Sequence, residues 1–180
     1  MDRRAFFSLI ALTGCAGEGL TVYDPVRLPP DSIEGAGDPT RSAVTRSAFA
    51  FGNQAGLAGR PGEAARAIAD MEFLAAALPA DPRYQQRDPL LPGRLSQART
   101  EWRQALGIPG EQPAQPLIDS FYMAWRASRA GDMAAAAGSL PPGVWARLGA
   151  LPPLPQTSQA ANAAARVQSD GNLPINRNRL

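Results

Sequence analysis

The chain has 180 residues, a formal net charge of +2 and an ordinary 44% of hydrophobic residues, enough for one domain with a modest core. All 18 basic side chains are arginine, histidine is absent and there is a single cysteine. That inventory excludes Ser-His-Asp and Cys-His relays, imidazole metal ligands, lysine Schiff bases, internal disulfides and multi-cysteine zinc sites.

The N-terminus opens on Arg3 and Arg4, continues through the apolar stretch Ala5 to Leu12, and reaches Cys15 through Thr13 and Gly14. Charge, then an apolar segment, then small residues is the layout of a secretory signal. Eight helical residues rise only about 12 Å, far short of the roughly 30 Å hydrocarbon core, so a membrane span is not expected there. Leu12-Thr13-Gly14-Cys15 resembles the lipobox of bacterial lipoproteins at all four positions, and the likeness covers these residues and the signal before them. It implies that residues 1–14 are a signal peptide removed before Cys15. It also implies that the Cys15 thiol carries a diacylglyceryl group, with its new amine open to further acylation, typically by palmitate. Two or three acyl chains make a stable membrane anchor where one is marginal. Asp2-Arg3-Arg4-Ala5-Phe6-Phe7 resembles the twin-arginine signal, departing from it at Asp2 and at Ser8. General secretory and twin-arginine export both stay open on this reading. Ala16 follows the cysteine, and the lipoprotein resemblance then implies sorting to the outer membrane, facing the periplasm.

Residues 15–37 read as the lipidated N-terminus and a tether, rich in Gly, Pro and Asp and without helical periodicity. The alternative is a strap lying along the domain through Leu20, Val22 and Tyr23. Helical signals dominate residues 38–170. Asp38-Pro39 supplies an N-cap and first turn, and Val44, Ala48, Phe51 and Ala55 follow at helical spacing. Residues 62–78 give the clearest helix, with Ala64, Ile68, Met71, Ala75 and Leu78 on one face and Pro79 as its stop. A loop is expected through Pro82, Pro89 and Pro92. Leu95, Ala98, Trp102, Ala105 and Leu106 then mark an amphipathic helix closed by Gly107 and Pro109. Residues 115–130 carry Ile118, Phe121, Tyr122 and Trp125, and shorter alanine-rich or apolar helices follow as far as residue 169. Residues 171–180 read as a frayed tail. The expected fold is all-α, a small bundle of about five or six short helices joined by Pro-rich loops. Phe121 to Ala137 also resembles a single tetratricopeptide-type hairpin. The full repeat pattern is missing, so a generic helical hairpin is expected.

Three groups of residues are candidates for function. Arg83, Arg87, Arg94, Arg99 and Arg103, interleaved with Tyr84 and Trp102, suit an anionic lipid or cell-wall polymer, or else a solvated face balanced by Asp88 and Glu101. Phe121, Tyr122 and Trp125 suit a partner contact or a core, with Tyr122 expected to reach the surface. Glu63, Asp70, Glu72 and Glu101 are the carboxylates a wall hydrolase would need. Local pairing of Glu63 and Asp70 with Arg66 on an exposed face accounts for two of them. The expectation is therefore no catalytic residue, no metal and no cofactor. The expected partners are the membrane, through Cys15, and a protein of the cell envelope. A slight surplus of arginine is not the clustered basic face that nucleic-acid binding requires.

Overall fold

The computed structural model describes residues 25–33 and 37–170; the residues expected to form a signal peptide and lipobox, Cys15 included, and those from Gly171 onward lie outside them. The described residues form eight α-helices and no strand. Five are long: α1 (Pro39–Gly52), α2 (Pro61–Ala77), α4 (Leu91–Leu106), α5 (Ala114–Arg129) and α8 (Pro155–Asp170). Three are short: α3 (Pro82–Arg87), α6 (Met133–Gly138) and α7 (Val144–Gly149). The chain is thus the all-α bundle that its periodicity predicts.

Proline starts these helices more often than it separates them. It stands in the first turn of α1, α2, α3 and α4, where its missing N–H would have no intrahelical partner in any case. This corrects the loop expected through Pro82 and Pro92, which holds α3 and the first turn of α4 instead. Aspartates cap several starts. Asp38 accepts from the Thr40 N–H at 2.8 Å, Asp81 from Arg83 at 2.9 Å and Asp132 from Ala135 at 2.9 Å. At the far end of α4, Gly107 takes φ +66° and the Ile108 N–H reaches back to the Arg103 carbonyl at 2.8 Å. A left-handed residue is what lets the chain leave the helix there.

Helix α2 is the axis of the bundle. It packs on α1, α4, α5 and α7, and every residue from Ala67 to Leu74 is buried. Its closest neighbour is α5, where an added Cβ at Gly62 would lie 2.8 Å from the Ser128 Cβ. Helix α8 lays Ala160, Ala161, Ala163 and Ala164 against α1 and α4. Alanine contributes little buried area per residue but lets helix axes approach closely.

Residues 25–33, expected as tether, instead lie on the helical body. Val26 is buried, Arg27 exchanges two backbone hydrogen bonds with the Gln115 amide (2.7 and 3.1 Å), and Asp31 pairs with Arg126. The Arg126 guanidinium holds the Asp31 carboxyl below its ordinary value. A short 3-10 turn at Pro30–Ser32 then points the Ser32 carbonyl at Arg46 and Arg66.

The contact at Gly62 has a measurable consequence. Gly62→Ala overpacks α2 against α5 and should cost about 1–3 kcal/mol, several degrees in thermal melting followed by circular dichroism. Gly52→Ala, whose new methyl meets nothing within 4 Å, should leave the melting temperature unchanged or raise it.

Candidate functional site

Asp70 and Glu72 are both fully buried on α2. Asp70 faces α1 and α5. Arg46 grips it with Nε at 2.7 Å from Oδ2 and Nη2 at 2.8 Å from Oδ1, while the Tyr122 hydroxyl donates to Oδ1 at 2.7 Å. Burial pushes the Asp70 carboxyl above its ordinary value, against the opposing pull of Arg46 and Tyr122. Burial also acts against the Arg46 cation, but the neighbouring carboxylate outweighs it and holds the guanidinium above its usual value. The Tyr122 phenol is pushed up by burial first and by the Asp70 charge second, which fixes it as a donor.

Glu72 faces α4. Arg103 donates from Nε to Oε1 at 2.7 Å and from Nη2 to Oε2 at 2.9 Å, a bidentate pair. Trp102 Nε1 adds a bond of 2.8 Å and Arg99 Nε one of 3.1 Å. The remaining end of Arg103, Nη1, donates to the carbonyls of Pro109, Gly110 and Gln112 at 3.2, 2.7 and 2.8 Å. Only 2% of Arg103 is exposed, so one guanidinium ties α2, α4 and the loop before α5 together. Glu101, on the same helix, accepts from the Gln156 and Thr157 N–H groups at 3.0 and 2.8 Å, and from the Thr157 hydroxyl at 2.7 Å. It thereby caps α8 with a negative charge where the helix dipole favours one.

These positions revise the sequence expectations. Tyr122, expected at the surface, is completely buried because its hydroxyl serves Asp70. Arg103 is interior, not part of a binding face, because Glu72 draws it in. The arginine group is not one free patch. Arg83 pairs with Asp81 at 2.7 Å, Arg94 with Asp88 at 2.6 Å and Arg99 with Glu72 at 3.1 Å. Arg87 is exposed in the last turn of α3. The proposed pairing of Asp70 with Arg66 on an exposed face is also replaced. Asp70 takes Arg46, and Arg66 lies over the Trp125 ring with its guanidinium carbon 4.3 Å from the centroid. Sequence reasoning passed over Arg46. The one available signal was a polar residue between the core positions Val44 and Ser47, at the height of a buried acid on the next helix.

One groove stands beside the Asp70 cluster. It lies between α1 and α2, encloses about 460 Å³, and is lined by Phe49, Ala50, Leu57 and Ala67 together with Arg46, Arg60, Glu63 and Arg66. Phe49 at its edge is 83% exposed. Among the described residues, no group of His, Cys, Asp or Glu side chains is placed to hold a metal ion. Comparison with protein-family models, curated proteins and solved structures finds no match.

The burial of Glu72 and Tyr122 sets two tests. Glu72→Gln leaves the Arg103 cation inside without its counter-charge and should cost about 3–5 kcal/mol in denaturant titration. The pair Glu72→Leu with Arg103→Met should lose much less than that single change, and Asp81→Asn, whose partner Arg83 is exposed, at most about 1 kcal/mol. Tyr84 is also held above its ordinary value by burial. A phenol whose folded pKa is raised favours the neutral form, so its contribution is intact below the unfolded pKa of about 10 and is lost as pH climbs above it. Phenolate absorbance of Tyr84 and Tyr122 should therefore appear above pH 10 together with loss of helical signal, and the Tyr122→Phe chain should separate the two events.

Proposed function

We propose that this chain is a bacterial envelope lipoprotein, held at a membrane through Cys15, whose helical body is a non-catalytic interaction module. The observation that supports the non-catalytic reading is the commitment of three of the four candidate carboxylates; the fourth, Glu63, lines the groove between α1 and α2. Asp70 and Glu72 are closed by guanidinium groups, and Glu101 is a helix cap, so the oxygens of all three are engaged, those of Asp70 included although it lines the groove. A wall hydrolase needs at least one carboxyl poised to give or take a proton beside its substrate. The reading of an Arg83–Arg103 face for anionic lipid or wall polymer is weaker. Of its five arginines only Arg87 lacks an acid partner among the described residues.

The lipobox resemblance and Ala16 support export and placement in the outer membrane, facing the periplasm. Residues 25–33 are fastened along α5, so the acylated end would reach the bilayer through only the short stretch between Cys15 and Pro25. A body held this close to the membrane suits contact with a neighbouring envelope protein.

The test joins position to partnership. In cells the chain should fractionate with membranes, and mass spectrometry of its N-terminus should find an acylated Cys15. Cys15→Ser should move the chain to the soluble fraction with its helical content unchanged. Crosslinking of the wild-type chain in cells should recover one defined envelope protein, and recovery should fall in the Cys15→Ser cells. A wild-type chain found unacylated and soluble would overturn the anchor, and one that crosslinks to nothing would overturn the interaction role.

A further inference from the structure

The groove between α1 and α2 has two properties that the packing of the fold does not account for. Phe49 is a large apolar side chain left 83% exposed at its edge, although α1 buries its other large apolar residues, Val44 and Phe51. Arg66 has its Nε buried and without a hydrogen-bond partner. A buried N–H left unpaired is costly; Nε itself is closed off from solvent, so what Arg66 offers a groove ligand is its positive charge and not that N–H.

The charges of the groove narrow the chemistry. Arg46 and Asp70 neutralise one another, and two further donors of Arg46 are engaged by Ser32 and Tyr122. Arg60 is exposed and makes only a long bond, 3.4 Å, to the Gly56 carbonyl. Arg66 uses Nη2 on the Ser32 carbonyl at 3.2 Å. Against these two cations the groove sets one further acid, Glu63, leaving a net charge of one. A single anionic group fits this balance better than a polyanion does.

The rest of the lining is mostly apolar, Phe49, Ala50, Gly56, Leu57 and Ala67, with Thr45 and Asn53 as its two further polar side chains. The backbone groups of α1 and α2 are engaged within their own helices, so an extended peptide laid there would leave its own N–H and C=O groups unmatched. A helix, about 10–12 Å across, would rest over the groove without filling it. A hydrocarbon chain brings no polar backbone, and about 460 Å³ lies in the range of small-ligand sites.

We propose that this groove binds a single-chain amphiphilic carboxylate, of the fatty-acid class, with its carboxylate on Arg60 and Arg66 and its hydrocarbon along Phe49, Ala50, Leu57 and Ala67. The site goes beyond the interaction role above and does not depend on a membrane anchor.

The test is calorimetric titration of the full chain carrying Cys15→Ser, in detergent-free buffer, with hexanoate, octanoate and decanoate below their micellar concentrations. One saturable site is expected, tightening about three- to four-fold for each added methylene. Decanol should bind at least roughly ten-fold more weakly than decanoate, and Arg60→Gln should weaken decanoate by a similar factor. Phe49→Ser should flatten the dependence on chain length. Both substitutions are at exposed positions, and an unchanged helical spectrum will show that the fold is intact. Absence of saturable decanoate binding overturns the proposal. So does binding that Arg60→Gln and Phe49→Ser leave untouched, or tighter binding of an acetylated peptide ending in a leucine carboxylate.

Discussion

The fold depends on a central helix that is buried on nearly every side and yet carries two fully buried carboxylates. Asp70 and Glu72 are two residues apart, which places them about 200° apart around α2. They cannot share a partner or a face. One is therefore answered from α1 and α5, by Arg46 and Tyr122, and the other from α4, by Trp102, Arg99 and Arg103. Burial of an unpaired charge is prohibitive, so each neighbouring helix has only one register in which the bundle can close.

That constraint compensates for what the composition lacks. Alanine supplies much of the interior: Ala64, Ala65, Ala67 and Ala69 on α2, and four more on α8. Small, interchangeable side chains pack closely but discriminate poorly between one helix rotation and the next. Directional bonds discriminate well. A bidentate guanidinium at 2.7 and 2.9 Å accepts little rotation, and Arg103 extends its reach to three carbonyls of the following loop. Arginine as the only basic residue suits this use, because its planar fork matches a carboxylate and remains charged when buried.

The helices were legible from sequence wherever apolar spacing, a cap and a stop coincided, as at Asp38-Pro39 for α1 and at Gly107 for α4. Proline misled between residues 82 and 92, because a helix breaker and a helix starter are the same residue read from opposite sides. The interior charges were only half legible. Glu72 beside Phe73 looked ill suited to solvent, and it is buried. Asp70 looked like one member of a local Arg66 pair at helical spacing, whereas its true partners lie 24 and 52 residues away. Local spacing identifies which side chains are able to meet; which of them do is settled by the packing of α1 and α5 onto α2. The groove was not legible at all, since Phe49, Arg60 and Arg66 come together only when α1 and α2 pack side by side.

Residues 25–33 join these elements. The Ser32 carbonyl accepts from Arg46 at 3.1 Å and from Arg66 at 3.2 Å, so one peptide group touches both the Asp70 cluster and the wall of the groove. The same segment is fixed to α5 by Gln115 and by the Arg126–Asp31 pair. Peeling it from the body would remove an acceptor from Arg66, whose Nε already lacks one, and from the guanidinium that neutralises Asp70. The cost of that loss falls on the interior of the bundle and not on the surface alone. A pull on the chain ahead of Pro25 would therefore be felt at α1, α2 and α5 together, which makes the segment a part of the fold and not merely a connection to it.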